Sequence, residues 1–168
     1  MPVLQIVTWP DPRLSQTCAP VMDPSGAETR RLAADMLNTM YAAQGRGLAA
    51  PQVGILQRIF VMDITWKEGK RSPNILINPE ILDQSSTRAM GPEGCLSIPD
   101  VLVDVPRAVW VDLAWTDTVG QRKVERLSGF AAICAQHELD HLDGIVTLNR
   151  ISDTARLAAE AVYQKARA

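Results

Sequence analysis

The segment His137-Glu138-Leu139-Asp140-His141 contains both histidines of the chain, four positions apart. Residues with this spacing lie on one face of a helix, so both imidazoles can reach a single divalent ion. Glu138 projects beside them, where a general base would meet a metal-bound water. The segment therefore predicts a metal-binding catalytic helix. The alternative is a solvated helix face that holds two histidines by chance.

The flanking sequence supports a helix at this place. Ser128 is a candidate N-cap, and apolar residues recur at steps of three and four through Phe130, Ile133 and Cys134. Gly144 is typical of a helix end. We therefore expect one amphipathic helix that carries both histidines.

A catalytic divalent site needs a third protein ligand and one position open for water. Cys95 is one candidate, because its segment Pro92-Glu93-Gly94-Cys95-Leu96-Ser97-Ile98-Pro99 can expose a thiol at a bend. Glu160 is the other, since its position after His141 is similar to the glutamate placement of thermolysin-like metallopeptidases. Cys95 can equally be a buried core thiol and Glu160 an exposed helix acid. The residues alone leave the third ligand open.

The rest of the chain predicts an α+β fold, because the strands precede and separate the helices without regular alternation. Mixed or antiparallel strands are expected to pack around the central metal-binding helix, with an N-terminal and a C-terminal helix beside them. Helices are predicted over about 26–43, where Ser25 and Glu28 have capping-box spacing, and from Ser152 to about Lys165. The segment 45–52 is predicted to be a loop. Strands are predicted over 59–64, 75–78 and 101–105, along an alternating run of Val109, Val111, Leu113 and Trp115, and over 121–127 after a turn at 117–120.

Composition and charge predict one globular domain over residues 1–168. The chain is 46% apolar and 21% charged, and its net charge of −2 argues against a nucleic-acid-binding protein. Three cysteines are too few for a disulfide framework and suit a reducing compartment. The first residues contain no signal-peptide apolar region, and no apolar run approaches a membrane span. We therefore expect a cytoplasmic protein without a membrane partner.

Three segments of the chain resemble, in order and spacing, the three signature motifs of the peptide deformylase family. The similarity extends from Val3 to the final helix. The three segments are Gly45-Arg46-Gly47-Leu48-Ala49-Ala50-Pro51-Gln52, Glu93-Gly94-Cys95-Leu96-Ser97 and Gln136-His137-Glu138-Leu139-Asp140-His141-Leu142.

The resemblance implies a metallohydrolase that removes the formyl group from the N-terminal formylmethionine of nascent polypeptides. It implies that Cys95, His137 and His141 hold one ion, which in this family is usually Fe²⁺ and is often replaced by Zn²⁺, Ni²⁺ or Co²⁺. Glu138 would then be the general base and later the general acid. By the same resemblance, the Gln52 side chain and the Leu96 backbone N–H stabilise the oxyanion.

Substrate binding is where the sequence departs from the family pattern. Gly47 leaves room for an extended peptide to pair with its backbone as an added strand. Two positions that are usually apolar around the methionine side chain are Arg46 and Gly91 here. The pocket can still receive apolar lining from Phe130, Ile133 and Cys134.

Three further positions bear on recognition and partners. Leu102 replaces an arginine that contacts the peptide in many relatives, and Asn149 replaces a usual aspartate, whereas Arg107 matches. Some relatives dock on the ribosome through the C-terminal helix, but this chain ends with little positive charge.

Two alternative functions therefore stay open. One is a deformylase-like hydrolase with a changed pocket for another N-formyl or N-acyl amine, and the other is a non-catalytic metal-binding or ribosome-associated protein.

Overall fold

The computed structural model describes residues 2–168, and within that range it contains seven strands and three α-helices. The helices are α1 (Ala27–Ala42), α2 (Gly129–Leu142) and α3 (Asp153–Arg167). The strands are β1 (Gly47–Ala49), β2 (Ile59–Met62), β3 (Asn74–Gln84), β4 (Arg88–Cys95), β5 (Ile98–Ala108), β6 (Trp110–Thr116) and β7 (Arg122–Ser128). Short 3₁₀ turns lie at Pro12–Ser15, Ala50–Val53, Trp66–Glu68 and Thr147–Asn149.

The strands form two antiparallel sheets. The larger has the order β1-β2-β3-β6-β7, and β4 and β5 form a separate two-stranded hairpin. β1 and β7 are therefore the edges of the larger sheet. The antiparallel pairing and the segregated helices confirm the α+β prediction.

Helix α2 is the central element, as predicted. It contacts strands of both sheets, namely β1, β2, β5, β6 and β7. Leu142 is fully buried and Leu139 nearly so, and burial of each leucine contributes about 1.5–3 kcal/mol. The helix ends where Gly144 adopts a positive φ of 73° and the Ile145 N–H donates to the Asp140 carbonyl at 2.9 Å. The predicted end near Gly144 is therefore confirmed.

Neither Ser25 nor Ser128, the two residues predicted to cap helices, makes a capping hydrogen bond through its side chain. Gly26, not Ser25, is the N-cap of α1, and no side chain caps that end, so the predicted capping box is wrong. A turn is responsible, because the Gly26 N–H donates to the Asp23 carbonyl at 3.1 Å and moves the helix start past Ser25. Ser128 does occupy the N-cap of α2, but its side chain makes no capping hydrogen bond. Ser152 is a true cap of α3, since its hydroxyl accepts from the Ala155 N–H at 3.2 Å.

One segment predicted to be a loop contains a strand, and one strand of the structure was not predicted. The predicted loop 45–52 contains β1, which pairs with β2, and a 3₁₀ turn. The segment around Pro92 belongs to β4 and pairs with β5 along its whole length. Proline and glycine are tolerated there because every strand of a two-stranded hairpin has a free edge. Both strands form through long-range pairing that local sequence does not report.

A buried carboxylate anchors the segment that follows β2. Asp63 is fully buried and accepts hydrogen bonds from the Tyr41 hydroxyl at 2.7 Å and the Ser72 N–H at 3.0 Å. The adjoining Trp66 stacks edge-on against Tyr41, and its indole N–H donates to the Gly45 carbonyl at 2.8 Å. These contacts hold the segment just before β1, which borders the site described below.

Tyr41 gives this anchor a pH dependence. Burial and the hydrogen bond to Asp63 raise the pKa of Tyr41 from 10.0 to about 12. A folded-state pKa above the unfolded value adds stability that is present below about pH 10 and is lost as the pH rises towards 12. We expect the free energy of unfolding of the native protein to fall more between about pH 9 and 11.5 than that of Tyr41→Phe. Urea unfolding of both proteins measures the difference, and equal losses would contradict the assignment.

Candidate active site

Three side chains from two distant segments converge beside α2. His137 and His141 come from α2, and Cys95 ends β4. Their ligand atoms all lie within 4.8 Å of one another, and Cys95 Sγ is 3.3 Å from His141 Nε2. The structure therefore brings together the two histidines and the thiol candidate for the third ligand.

This group fits a divalent transition metal. Two imidazoles and a thiolate are the donors of zinc-type catalytic sites and leave a tetrahedral position open. His137 donates from Nδ1 to Glu93 Oε1 at 2.9 Å, which directs Nε2 of that ring to the other ligands. Burial lowers the pKa of His141 well below its ordinary value, so this imidazole is neutral, as a metal ligand must be. Burial also lowers the pKa of His137, but the hydrogen bonds of this ring to Cys95 and Glu93 outweigh burial. The pKa of His137 is therefore raised above its ordinary value.

Glu138 is a buried carboxylate adjacent to this group. Burial raises the pKa of Glu138 to about 7, because the charged form loses its hydration. Its Oε2 has no hydrogen-bond partner among residues 2–168. Buried polar atoms are normally paired, so the unpaired Oε2 indicates a place for water or a ligand beside it.

Gly47 on β1 makes room for this carboxylate. A Cβ built on Gly47 would overlap Glu138 Oε1 and lie 2.9 Å from Cys134 Sγ. Because Gly47 has no side chain, the Glu138 carboxylate can lie against β1. This is a second role for Gly47, besides the space that it leaves for a peptide.

The predicted oxyanion residues, Gln52 and Leu96, lie next to Cys95. Gln52 is buried, and its Nε2 donates to Ser97 Oγ at 3.2 Å and approaches Cys95 Sγ at 3.6 Å. Its Oε1 accepts from the Ala49 N–H at 2.9 Å, which fixes the orientation of the amide. Leu96 follows Cys95 directly in the turn between β4 and β5. The amide and this turn thus face the same small space as the metal group.

A cleft of about 980 Å³ opens onto these groups. It is lined by all five predicted pocket residues, Arg46, Gly91, Phe130, Ile133 and Cys134. The Arg46 guanidinium donates to the Ile64 carbonyl and to Glu68, both at 2.7 Å, so its charge meets an acid at the rim. Burial raises the pKa of the Cys134 thiol well above its ordinary value, which makes it a neutral wall residue.

Sequence reasoning missed the residues that support His137. Glu93 accepts from His137 and is itself held by both Nε and Nη2 of Arg107, at 2.8 and 3.0 Å. Arg107 is buried and contacts His137 only through Glu93, so it holds Glu93 in place. A search for a carboxylate near Cys95 would have found Glu93, because metal-bound histidines usually donate their second N–H to such a group.

The remaining candidates lie away from the metal group. Glu160 pairs with Arg156 on α3 at 2.7 Å and is not part of the ligand cluster, so the thermolysin-like arrangement is wrong. Leu102 is largely exposed at the mouth of the cleft. Asn149 caps the turn after α2 by accepting from the Val146 N–H at 2.9 Å.

Comparison with known proteins decides the family. Residues 3–157 match the family model described as polypeptide deformylase. The chain belongs to the polypeptide deformylase family. It is therefore a member of a family of metal-dependent hydrolases that act on peptides, and the resemblance inferred from the three motifs is confirmed.

Individual deformylases agree over nearly the whole chain. The peptide deformylase of Alkalilimnicola ehrlichii is 49% identical over 156 residues, which are 93% of this chain and 86% of that protein. The crystal structure of peptide deformylase from Ehrlichia chaffeensis in complex with actinonin is 40% identical, with a TM-score of 0.91 and full coverage of both chains. A peptide deformylase structure from Legionella pneumophila gives a TM-score of 0.92 at 34% identity, over 99% of this chain and 96% of that one.

The space at Gly47 can be tested by adding one methyl group. We expect Gly47→Ala to displace the Glu138 carboxylate and to lower kcat for formate release by about 100-fold, because small displacements of reacting groups have effects of this size. Bound metal should be retained, since none of the three ligand atoms is touched.

Gly91→Ala is the matched control for kcat and metal content, because a Cβ at Gly91 meets nothing within 4 Å, whereas its place in the cleft wall allows a change in KM. Steady-state kinetics and metal analysis of both variants check the expectation. Equal values of kcat for the two variants would contradict it.

Proposed function

We propose that this deformylase removes the formyl group from the N-terminal formylmethionine of nascent polypeptides, with residues 1–168 acting as one catalytic domain. The observation that carries the proposal is the convergence of Cys95, His137 and His141 within 4.8 Å beside the unpaired carboxylate oxygen of Glu138. Membership of the family supplies the class of reaction.

Cys95, His137 and His141 would hold one divalent ion, and we propose Fe²⁺ as the physiological metal. Zn²⁺, Ni²⁺ and Co²⁺ suit the same donor set. When bound, such an ion supplies Lewis acidity, which polarises a carbonyl and lowers the pKa of bound water to near neutrality.

Glu138 performs the proton transfers. Its carboxylate accepts a proton from the attacking water and later delivers it to the nitrogen of the leaving amine. A pKa near 7 suits both steps, because the group can gain and lose a proton at neutral pH. Burial excludes bulk water that would otherwise exchange this proton.

Gln52 and Leu96 stabilise the negative charge that develops on the formyl oxygen. The Gln52 amide is fixed by Ala49 and Ser97, so Nε2 is oriented before the substrate arrives. The Leu96 backbone N–H is the second donor. Loss of one such donor typically raises the barrier by about 3 kcal/mol.

Gly47 and the cleft walls bind the peptide. β1 is an edge of the larger sheet, so the backbone groups on its free side can pair with an extended substrate. The methionine side chain would lie against Phe130, Ile133, Cys134, the open side of Gly91 and the methylene groups of Arg46. Because the guanidinium is tied to Glu68 and the Ile64 carbonyl, Arg46 can present its aliphatic part to a thioether.

We place the protein in the cytoplasm, where nascent chains are made. Within residues 2–168, no helix is both long and apolar enough to cross a bilayer. Cys18, Cys95 and Cys134 are all free thiols. Ribosome association through α3 stays a prediction, and co-sedimentation with and without that helix would test it.

Formate release tests the proposed reaction directly. We expect protein purified anaerobically with iron, or loaded with nickel, to release formate from a short formylmethionyl peptide. Glu138→Ala should slow release by about 10²–10⁴-fold while metal is retained, because general acid–base catalysis contributes this much.

The outcomes separate the alternatives. No release by a metal-loaded native protein would contradict the proposal and favour another N-formyl or N-acyl substrate, selected at Arg46 and Gly91. If no amide of either kind is hydrolysed, a non-catalytic metal-binding role is favoured.

The thiolate ligand has a spectroscopic signature of its own. We expect the cobalt-substituted protein to show a thiolate-to-metal charge-transfer band, because Cys95 would bind the ion through Sγ. Cys95→Ser should abolish the band and weaken metal binding. Glu160→Ala should leave both unchanged, and a cobalt protein without the band would overturn the assignment of Cys95.

A further inference from the structure

A row of buried charges extends from the metal group to the protein surface. It begins at His137, which donates to Glu93, and Glu93 is held by Arg107. The remaining guanidinium nitrogen of Arg107, Nη1, donates to Asp140 Oδ2 at 2.6 Å. Each residue of the row is thus joined to the next by a charge-assisted hydrogen bond.

Arg150 completes the row at its outer end. Its Nε and Nη2 donate to the two oxygens of Asp140, at 3.0 and 2.6 Å. The Arg150 side chain is 43% exposed, whereas those of Glu93, Arg107 and Asp140 are 6%, 6% and 11% exposed. Arg150 is therefore the only member of this row that water reaches freely.

With His137 neutral, as a metal ligand must be, the charges of the row balance only when Arg150 is included. Glu93 and Asp140 are two carboxylates, and Arg107 alone supplies one positive charge between them. Without Arg150, Asp140 Oδ1 loses the one hydrogen bond that the structure gives it. A buried carboxylate left short of partners draws more strongly on the donors that remain. Asp140 would then compete with Glu93 for Arg107.

We propose that Arg150 is a positioning residue for the metal site, acting on His137 through Asp140, Arg107 and Glu93. This inference rests on the proposed role of His137 as a metal ligand. Arg150 binds Asp140 through Nε and Nη2. Arg107 can therefore donate two hydrogen bonds to Glu93. Glu93 in turn fixes the ring of His137 in the orientation that directs Nε2 to the ion.

If Arg150 only stabilised the end of α2, any variant that loosens this helix end would have the same effect on the metal site. Arg150 also ties the chain after α2 to the end of that helix, so its loss could simply loosen the helix. Arg58 serves as a matched control for this effect. It clamps the same helix end through Asp143 Oδ1 at 2.8 Å and the Leu142 carbonyl at 3.2 Å, and it makes no contact with the row of charges.

The experiment measures zinc loss from the full chain. Native protein, Arg150→Ala, Arg150→Lys and Arg58→Ala are loaded with Zn²⁺ and challenged with excess EDTA, and remaining zinc is followed over time. We expect Arg150→Ala to lose zinc about 10-fold faster than native protein, the lower end of the effect of outer-shell partners of metal ligands. Arg58→Ala should retain zinc as the native protein does, and Arg150→Lys should be intermediate because lysine cannot bind both oxygens of Asp140.

Two further readouts separate positioning from loosening. Guanidinium ion added to Arg150→Ala should restore slow zinc loss, since the vacated position is open to solvent, whereas ammonium should restore less. With the nickel-loaded enzymes, Arg150→Ala should lower kcat for a formylmethionyl peptide and leave KM unchanged.

The proposal is overturned if Arg150→Ala keeps zinc as native protein does, or if Arg58→Ala loses zinc equally fast. Native protein that takes up no stoichiometric zinc would instead contradict the metal site itself. The zinc measurement needs no substrate, so a wrong choice of substrate in the proposed function would not affect it.

Discussion

The structure depends on burying the polar half of α2 without leaving its charges unpaired. His137, Glu138, Asp140 and His141 are all buried, and an isolated buried charge is strongly destabilising. The fold resolves this in two ways. Arg107 and Arg150 neutralise Glu93 and Asp140, while the space between the two histidines and Cys95 suits a cation.

The two sheets supply these compensating groups from different directions. The β4–β5 hairpin contributes Cys95, Glu93 and Arg107, all on one side of α2. The larger sheet contributes β1, whose Gly47 makes contact with the Glu138 carboxylate possible. The helix therefore carries His137, Glu138 and His141, and residues of the sheets contact them. Neither sheet alone encloses the site.

The unusual residues of the cleft, Arg46 and Gly91, line its wall and are not part of the group of Cys95, His137 and His141. Arg46 extends outward to Glu68 and the Ile64 carbonyl, and it also lies over the Phe130 ring at 5.4 Å. Gly91 lines the same cleft, and a Cβ there would meet nothing within 4 Å.

The sequence by itself determined the helix with its two histidines, the neighbouring Glu138 and the α+β class, because spacing and periodicity are local properties. Together, the three motifs also identified the family. The resemblance favoured Cys95 over Glu160 as the third ligand, and only the tertiary structure showed that Cys95, from a distant strand, lies beside the histidines. The tertiary structure alone showed β1 and β4, which form by long-range pairing, and the connection from Arg150 to His137. That connection depends on which buried charges meet after folding, and no spacing along the chain encodes it.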